Sequence, residues 1–463
     1  MLHFTQYYLD CLSHASYLIG DTTTGRAVVV DPRRDVQEYL DDAAANGLTI
    51  ELVIETHFHA DFLSGHLELA DATGAEIGFG EVAETEFPSR KLRDGERISL
   101  GEVALEVRST PGHTPESISV VVYEKATDEV PYGVLTGDTL FIGDVGRPDL
   151  LGSIGVTADE LARKLYTSLH DKLLDLPDAT KVFPAHGAGS ACGKNLSTET
   201  VSTLGEQRQT NYALQDMTPD QFVAMVTADQ PAAPEYFPYN AVLNRKERDL
   251  LAEEQVPDQM PLEDVLARQA EGAVVIDTRE PDVYAWGHLR GSVNIGISGR
   301  FAEYGGTVVS HDTPIILFGD APAVAEAKLR LGRIGFDQVI GALVEPDRVL
   351  VDNPDLVERA SQITAGDLRQ RLESGERTQL VDIRNPGEVN LGTITGARPV
   401  PLAQLRDRLD ELDPAAPTVV FCAGGYRSSI AASLLESVGF TDVSDVLGGY
   451  GAWMALHEEN AIV

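Results

Sequence analysis

Cysteine is scarce in this sequence, with three residues among 463. Three cysteines in a chain of this length cannot form a disulfide framework, so a reducing cytoplasm is expected and each thiol is either reactive or a small core residue. Basic residues are also few, because 36 Lys and Arg stand against 73 Asp and Glu, a formal charge of −37. This balance argues against a nucleic acid or an anionic membrane as a partner, since both require basic patches.

Long apolar runs are missing as well. No stretch approaches the roughly 18 apolar residues that would span a membrane. The first ten residues have no basic cluster followed by an apolar run, so no secretory signal is expected. With 43% apolar and 24% charged residues the composition is that of a globular protein, and the length predicts roughly three domains of about 150 residues each.

Short apolar runs rich in β-branched residues alternate with helical patterns along the whole chain, which predicts an α/β protein. Strands are expected at 27–30, 50–54, 103–107, 118–123 and, as the last of the first domain, 182–184, and helices at 36–45 and 161–174. The segment from Thr218 to about Glu254 is mixed and contains Pro231, Pro234 and Pro238. It is predicted to connect two domains.

An internal repeat follows this segment. The run Val274–Arg279 has a counterpart 105 residues later in Gln379–Arg384, and Ile334-Gly335-Phe336 is echoed 104 residues later by Val438-Gly439-Phe440. Two copies of an α/β unit of about 100 residues are the simplest account of this pattern.

Histidines concentrate in three places that predict a metal site. His57, His59 and His66 lie in one short segment, His113 lies in a Pro-Gly loop, and His186 follows a short apolar strand. Asp138 comes at the end of another such strand, in Leu135-Thr136-Gly137-Asp138. Strand ends at one edge of a sheet bring distant residues together, and imidazole with carboxylate suits Zn or Fe(II) better than Ca or Mg.

This set resembles the metallo-β-lactamase superfamily, whose signature is His-x-His-x-Asp-His with a distal His, an Asp and a last His. The resemblance covers roughly residues 1–240. Phe62 stands where the signature has a histidine for a second metal. Since Phe cannot ligate, a dinuclear hydrolytic site is not expected and one metal should remain.

Within the superfamily, the chain looks like the persulfide dioxygenases. The resemblance implies one Fe(II) per chain, held by His57, His113 and Asp138, a facial triad that leaves positions open for a persulfide and O₂. His59, Asp61 and His186 are then expected to orient the ligands. The expected products are sulfite and the thiol.

Two further residues are candidates near this metal. Arg147, in Gly146-Arg147-Pro148-Asp149, is a plausible clamp for a substrate carboxylate, with a turn-stabilising surface arginine as the alternative. Cys192 lies six residues after His186 among Gly, Ser and Lys, and fusions similar to this protein have a thiol near the iron in such a segment, so Cys192 is a candidate catalytic residue with core filler as the alternative. Cys11, in an apolar stretch that looks like a strand, is expected to be a core residue.

A second candidate site lies between a strand at 418–421 and a helix at 428–436. The loop Cys422-Ala423-Gly424-Gly425-Tyr426-Arg427 contains glycines that let several N–H groups face inward as an anion-binding nest. The helix N-terminus and Arg427 add positive potential, which favours a Cys422 thiolate. Cys422 is expected to be the nucleophile and Arg427 a second catalytic residue, while Gly424 and Gly425 would bind the substrate anion.

This loop resembles the rhodanese sulfurtransferase signature over about residues 361–460. In the first copy the equivalent position falls on Phe318 or Gly319, and neither can carry sulfur. Asp320 and Pro322 would further spoil an anion nest. We therefore expect a catalytically inactive rhodanese fold with a packing or docking role in residues 257–347.

The sequence thus predicts a multidomain α/β protein. A metallo-β-lactamase αββα sandwich is expected over residues 1–240, with a linker to about 256, followed by two rhodanese-like α/β domains at 257–347 and 361–460. The function expected is oxidation of low-molecular-weight thiol persulfides by O₂, coupled to transfer of sulfane sulfur at Cys422 with sulfite or thiosulfate, in sulfide detoxification.

Two alternatives remain at this stage. One is a glyoxalase-II-like Zn thioester hydrolase with an attached sulfurtransferase, against which Phe62 counts. The other is a sulfur-carrier scaffold whose dioxygenase half is inactive. The carrier thiol (glutathione, coenzyme A or another), the direction of sulfur flow and a homo-oligomeric state stay open.

Overall fold

A computed structural model of the chain describes residues 1–150, 155–194, 196–228, 230, 233–375 and 377–461. It divides into two compact units: Met1–Glu253 with Arg333–Gly335, and Glu254–Gly332 with Phe336–Val463. Among the described residues, no helix has both the length and the apolar composition needed to cross a bilayer.

The first unit contains two sheets, each with six strands among the residues described. The first sheet has the strands in chain order: β1 (Leu2–Leu9), β2 (His14–Asp21), β3 (Arg26–Val30), β4 (Thr49–Ile54), β5 (Glu76–Gly80) and β6 (Arg90–Leu92). The second sheet runs in reverse chain order from β12 to β7: β7 (Arg97–Ser99), β8 (Ala104–Ser109), β9 (Ile118–Tyr123), β10 (Gly133–Gly137), β11 (Lys181–Pro184) and β12 (Ser202–Thr203).

Helices cover the outer faces of these sheets. They are α1 (Gln37–Ala45), α2 (His66–Thr73), α3 (Ala158–Ser168), α4 (Leu204–Thr210), α5 (Pro219–Thr227) and α6 (Phe237–Leu243). Thr157 caps α3 in a reciprocal hydrogen-bond pair with Glu160, which fixes the start of that helix.

Strand β3 of the first sheet is apolar on both faces because both of its faces are covered. Val28 and Val30 pack into the core between the two sheets, whereas Ala27 and Val29 pack beneath Tyr39 of α1. Successive side chains of a strand point to opposite faces, so a continuous apolar run is what a strand covered on both sides requires. The predicted αββα sandwich is confirmed.

Several expectations about individual elements need correction. The helix expected at 161–174 begins at Ala158, and its α-helical part ends at Ser168, after which Leu169–Leu173 form a π-helical turn. The strand at 182–184 is followed by β12. The segment expected to be a connection folds into α5 and α6, because Thr218 with Pro219 starts one helix and the apolar residues of both helices are buried. Cys11 lies in a turn and is half-buried.

The second unit contains two copies of a parallel α/β fold. The strands of the first copy are β13 (Val274–Asp277), β14 (His288–Leu289), β15 (Val293–Asn294), β16 (Ile315–Phe318), β17 (Val339–Leu343) and β18 (Val357–Glu358), and those of the second are β19 (Ser361–Ile363), β20 (Gln379–Asp382), β21 (Arg398–Pro399), β22 (Thr418–Phe421) and β23 (Val443–Val446). The strand orders are β15-β13-β16-β17 and β19-β23-β22-β20-β21, with β14 and β18 forming a separate pair.

The helices of this unit alternate with its strands. They are α7 (Leu262–Ala270), α8 (Pro281–Trp286), α9 (Phe301–Val308), α10 (Ala321–Arg333), α11 (Pro346–Asp352), α12 (Ala365–Glu373), α13 (Pro386–Asn390), α14 (Tyr426–Ser437) and α15 (Gly449–Ala461).

The repeat seen in the sequence is present in three dimensions. In the first copy the Arg279 guanidinium donates to both carboxylate oxygens of Asp277 at 2.9 and 2.6 Å and to the Gly287 carbonyl at 3.0 Å. In the second copy Arg384 makes the same bonds to Asp382, at 2.9 and 2.7 Å, and to the Gly392 carbonyl at 2.7 Å. Both copies therefore close their central strand with the same buried ion pair.

Candidate functional site

His57, His113 and Asp138 converge at one edge of the sandwich. His57 follows β4, His113 lies in the loop between β8 and β9, and Asp138 follows β10. All three are buried, and one ligand atom from each lies within 4.8 Å of the others. The Asp138 Oδ2 atom is 3.8 Å from His57 Nε2 and 3.5 Å from His113 Nε2.

Hydrogen bonds to the opposite ring nitrogens orient the two imidazoles. His113 Nδ1 lies 2.8 Å from the Arg147 carbonyl, which can only accept, so the proton is on Nδ1. The Thr56 hydroxyl donates to Asp31 Oδ2 at 2.8 Å and accepts from His57 Nδ1 at 3.0 Å. Each ring thereby keeps the Nε2 lone pair for the cluster.

The facing atoms have no partners of their own. His57 Nε2 and both carboxylate oxygens of Asp138 are buried without a hydrogen bond. Burial first, and then the neighbouring imidazoles His59 and His113, hold the pKa of His57 well below its ordinary value. Buried polar atoms without partners are costly, and a cation bound between neutral imidazole and carboxylate would satisfy all of them. The donor set therefore fits a metal ion.

A second set of donors lies beside the first. His59, Asp61 and His186 also offer ligand atoms within 4.8 Å of one another. His186 Nε2 is 3.4 Å from Asp61 Oδ2 and 3.5 Å from Asp138 Oδ1, so the two sets meet at Asp138. The buried His186 Nδ1 is 3.2 Å from the Ser13 carbonyl and donates to it.

His59 also has two acidic neighbours that the sequence analysis missed. Its Nε2 is 3.1 Å from Asp31 Oδ1 and 3.4 Å from Glu55 Oε2. Burial disfavours the charged ring, but these two carboxylates outweigh it and raise the pKa of His59 well above its ordinary value. The signal that could have revealed both acids is their position directly after the apolar strands β3 and β4.

Phe62 occupies the place next to this second set. Its fully buried ring lies 4.4 Å from the His59 ring and 4.0 Å from that of His14. His14, which the sequence analysis also missed, is buried at the start of β2, and its Nε2 has no hydrogen bond. No local pattern in the sequence of β2 predicts the contact between His14 and Phe62.

The Cys192 thiol reaches the same cluster. It is 1% exposed, and its sulfur lies within 4.8 Å of donor atoms of Asp138 and His186. Burial first, and then the Asp61 and Asp138 carboxylates, raise the pKa of the Cys192 thiol well above its ordinary value. The Cys192 carbonyl accepts from the Arg147 N–H at 3.0 Å, so the loop is tied to the same segment as His113.

Arg147 is not a free cation. It is 3% exposed, and its guanidinium donates to both oxygens of Asp149 at 2.7 and 2.8 Å. Its charge is thus compensated, which differs from the expected clamp for a substrate carboxylate, although the residue is far from an ordinary surface arginine. Asp149 was not singled out from the sequence.

A mostly apolar cavity of about 250 Å³ adjoins these residues. Ala60, between His59 and Asp61, forms part of its wall together with Arg147, and α6 supplies Phe237, Pro238 and Val242. Arg245 also lines it, with its guanidinium 4.4 Å above the Phe58 ring and its buried Nε atom without a hydrogen bond. Beside the metal donors the cavity therefore offers apolar surface and two guanidinium groups, of which that of Arg147 is paired with Asp149.

The Cys422 loop lies between the starts of two helices. The Gly425 N–H donates to Cys422 Sγ at 3.0 Å, and Gly425 has a φ of 116°, which favours glycine. The Ser428 hydroxyl lies 3.6 Å from the sulfur. The Cys422 carbonyl accepts from the Tyr450 N–H of α15 at 2.7 Å. Cys422 is 2% exposed, and its sulfur accepts one backbone N–H, that of Gly425.

Arg427 is paired with an acid that sequence reasoning did not identify. Its two terminal nitrogens donate to the two carboxylate oxygens of Glu388, both at 2.8 Å. Burial disfavours the Arg427 cation, but Glu388, Tyr304 and Cys422 outweigh it and raise its pKa. The positive charge expected beside Cys422 is present and is partly compensated.

Strand register identifies the equivalent position in the first copy. Phe421 pairs with Asp382 and Phe318 with Asp277, so Gly319 corresponds to Cys422. The Phe318 ring is fully buried in the core of its copy. The loop from Phe318 to Pro322 thus places a glycine where the other copy has its thiol.

Comparisons with known proteins match both parts of the chain. The sequence profile of the Metallo-beta-lactamase superfamily matches residues 9–186, and that of the Rhodanese-like domain matches residues 262–343 and 364–456. A crystal structure of a metallo-beta-lactamase from Staphylococcus aureus subsp. aureus COL is similar with a TM-score of 0.68 and 36% identity, over 74% of this chain and 99% of that one.

Two curated relatives match the first half. A probable metallo-hydrolase of Burkholderia pseudomallei is 30% identical over 249 residues, which are 46% of this chain and 81% of the relative. The mitochondrial persulfide dioxygenase ETHE1 of Homo sapiens is 30% identical over 217 residues, which are 46% of this chain and 75% of the relative. The names of these two relatives denote different reactions, hydrolysis and persulfide oxidation. The choice between the two reactions therefore rests on the residues of the site.

Proposed function

Because the chain belongs to the metallo-beta-lactamase superfamily and continues into two rhodanese-like domains, we propose that it is an Fe(II)-dependent persulfide dioxygenase coupled to a sulfurtransferase. The observation that carries the first half is the set of three buried donors, His57, His113 and Asp138, beside a phenylalanine at the position of the second-metal histidine. Two imidazoles and one carboxylate form a facial triad that suits non-haem Fe(II).

When bound there, Fe(II) would supply open coordination positions at which a persulfide and O₂ react. The overall reaction balances as persulfide, O₂ and water giving thiol, sulfite and two protons. The protein's own part is to hold the donors in place. Asp31 and Thr56 fix the ring of His57, while the Ser13 and Arg147 carbonyls fix the rings of His186 and His113.

The remaining buried residues would serve the same centre. His59 balances the Asp31 and Glu55 carboxylates beneath the triad, while Asp61 and His186 orient Asp138. Cys192, whose sulfur faces Asp138, is proposed to contact the persulfide as a catalytic thiol.

The cavity beside Ala60 is proposed to bind the carrier part of the substrate. Its apolar wall from α6 would exclude water from the reacting sulfur. Arg245, whose Nε has no partner among the described residues, would pair with a carboxylate of a low-molecular-weight thiol such as glutathione. In this proposal Arg147 shapes the cavity and holds the metal loop through its carbonyl, and its bond to Asp149 keeps its charge balanced.

The second half would move sulfur at Cys422. The thiolate attacks the sulfane sulfur of thiosulfate, so that an S–S bond forms at Cys422 as the S–S bond of thiosulfate breaks and sulfite leaves. Gly424 and Gly425 would hold the anion through backbone N–H groups, with Arg427 beside them. In the reverse direction sulfite from the first half takes sulfur from the Cys422 persulfide and gives thiosulfate. Because this chemistry needs reduced thiols, we place the protein in the cytoplasm.

The second donor set favours one competing function. His59, Asp61 and His186 with a shared Asp138 could hold a second cation, as a Zn thioester hydrolase would require. The buried ring of Phe62, which lies against the His59 ring, counts against it.

Metal content and oxygen uptake test the proposal together. Protein purified without O₂ should contain about one Fe per chain and consume O₂ with glutathione or coenzyme A persulfide, releasing sulfite. Asp138→Ala should lose both the metal and the oxygen uptake, whereas Asp94→Ala, which removes an exposed carboxylate of the same domain, should keep both. Two metals per chain with thioester hydrolysis would refute the dioxygenase, and one Fe without oxygen uptake would favour an inactive scaffold.

A further inference from the structure

The cysteine-less copy packs directly on the helix that follows the Cys422 loop. The Asn294 N–H of β15 donates to the Ser433 hydroxyl at 2.9 Å, and the Ser429 hydroxyl donates to Asn294 Oδ1 at 2.8 Å. The same Asn294 side chain donates to the carbonyls of Asp277 and Arg279 at 3.2 and 2.8 Å. A buried amide of the first copy thus fixes the position of α14 in the second.

Tyr426 of the catalytic loop packs against the other copy. The Tyr426 hydroxyl donates to the Gly296 carbonyl at 2.6 Å. A Cβ at Gly299 would overlap the Tyr426 ring, and one at Gly296 would lie 3.3 Å from it. Tyr426 directly follows Gly425, whose N–H donates to the thiol. Gly296 and Gly299 of the first copy, which contact Tyr426, therefore hold the backbone next to the reactive sulfur.

A second tyrosine, Tyr304 of α9, comes from the cysteine-less copy itself. Its ring lies 5.6 Å from the ring of Tyr426. Burial, then Glu303, raises the pKa of Tyr304 to about 12, with Arg427 opposing and Cys422 adding to the shift. Tyr304 therefore lies close enough to both Arg427 and Cys422 to interact with their charges. Its hydroxyl makes no hydrogen bond to any described residue, so it has a proton to donate.

The side-chain donors of the catalytic loop already have partners. Arg427 has one N–H of each terminal nitrogen bound to Glu388, and the Gly425 N–H is directed at the sulfur of Cys422. Besides the backbone N–H groups of the loop, the sulfonate of a bound thiosulfate or the persulfide formed on Cys422 would need a donor on its outer side.

From these contacts we infer that the cysteine-less copy completes the Cys422 site, with Tyr304 donating a hydrogen bond to the sulfur anion and the Gly296–Gly299 segment positioning the loop through Tyr426. This inference rests on the proposed sulfurtransferase. The chemical class of the ligand is a small sulfane-sulfur anion, with thiosulfate as the probe.

Tyr304→Phe in the full chain tests the hydroxyl, since the ring and its packing remain. We expect kcat/KM for sulfur transfer from thiosulfate to fall about ten-fold, mainly through KM, because one hydrogen bond to a bound anion is lost. Tyr284→Phe is the matched control: that buried tyrosine of the same copy donates to the Ser292 carbonyl and should leave transfer within two-fold or so. Oxygen uptake with a free persulfide should be unchanged in both variants.

Equal transfer by the Tyr304→Phe and Tyr284→Phe variants would overturn the role of Tyr304. A wild-type chain that consumes O₂ with persulfide but transfers no sulfur from thiosulfate would overturn the proposed sulfurtransferase and this inference with it.

Gly299→Ala tests whether the Gly296–Gly299 segment positions Tyr426. The added methyl should push the Tyr426 ring aside and lower kcat by about ten-fold or more, whereas Gly366→Ala, where a Cβ would have only Thr364 Oγ1 near it at 3.6 Å, should not. If Gly299→Ala acts through Tyr426, the double variant with Tyr426→Ala should lose no more than Tyr426→Ala alone. Additive losses would overturn the positioning role of this segment.

Discussion

The two rhodanese-like copies keep one buried ion pair and differ in the loop that holds Cys422 in one of them. Asp277 with Arg279 and Asp382 with Arg384 make the same hydrogen bonds at the end of the central strand. Both aspartates are fully buried in their copies. The ion pair thus belongs to the fold, and its presence in a copy is no sign of catalysis.

The loops after the neighbouring strands differ in what they can hold. Cys422 accepts an N–H from Gly425 and lies near Ser428. At Gly319, the equivalent position, an added Cβ would overlap the Thr278 hydroxyl. The backbone after the strand thus leaves room for a side chain at Cys422 and not at Gly319.

The largest effect should come from removing the one thiol that distinguishes the copies. Cys422→Ser should lower sulfur transfer from thiosulfate by roughly 1,000-fold or more, because the nucleophile is lost. Persulfide-dependent oxygen uptake should stay within two-fold or so, since the proposed metal donors all lie in the first unit.

Cys11→Ser, which removes a half-buried thiol, is the control for this variant. Loss of oxygen uptake in Cys422→Ser with a free persulfide would mean that the two chemistries are not independent.

The shared ion pair should matter to both copies alike. Arg384→Met and Arg279→Met should each destabilise its own copy by about 3–5 kcal/mol, because each leaves a buried aspartate unpaired. Hydrogen exchange followed by mass spectrometry would measure the two copies separately. Arg268→Met, which breaks an exposed pair with Glu271, should change stability by less than about 0.5 kcal/mol. A large loss in only one copy would show that the pairs are not equivalent.

The sequence predicted the parts of the sites that depend on strand order. His57, Asp138 and His186 each follow an apolar run, and parallel or adjacent strands that end at one edge bring such residues together. The strand at 418–421 and the glycines after Cys422 are likewise visible as local patterns. These features follow from the period of the strands and from turn chemistry.

The charge partners could not be predicted in the same way. Asp149 pairs with Arg147 two residues away, and Glu388 pairs with Arg427 across 39 residues. Which carboxylate a guanidinium meets depends on side-chain direction in the folded chain, and the sequence holds 73 acidic residues. The burial of His14 behind Phe62 depends on packing between elements and has no local signature.

Installing a thiol in the first copy tests whether the missing cysteine alone explains why this copy is expected to transfer no sulfur. Gly319→Cys in a Cys422→Ser background should not restore sulfur transfer, and the overlap with Thr278 should cost about 1–3 kcal/mol of stability in that copy. Phe318→Cys should also stay inactive, because that side chain points into the core. Thiosulfate-dependent transfer and thermal unfolding measure the two effects. Transfer within ten-fold or so of wild type would refute the inactive-loop interpretation.

The smallest effect concerns a half-buried acid that only the copy with Cys422 has. Glu436 lies near the end of α14, and the position 104 residues earlier in the other copy is Gly332. Burial first, and then Glu358 and Asp445, raises the pKa of Glu436 from 4.5 to about 7. Between pH 4.5 and about 7, Glu436 is therefore protonated in the folded protein and ionised in the unfolded chain. Stability should therefore fall as pH rises from 4.5 to 7 and level off above.

Glu436→Gln removes this dependence while keeping the shape of the side chain. The variant should match wild type below about pH 4.5 and be more stable by about 1–2 kcal/mol at pH 8, since part of the side chain is solvated. Trp453, which packs on the core of the same copy, reports the unfolding transition by fluorescence. Asp367→Asn is a suitable control, because the exposed Asp367 carboxylate caps α12. The pKa of Asp367 is lowered in the folded protein, so its contribution to stability follows the opposite trend and is lost as pH falls below 3.8. A Glu436→Gln variant that gains nothing at pH 8 would show that the carboxylate is solvated in the folded protein.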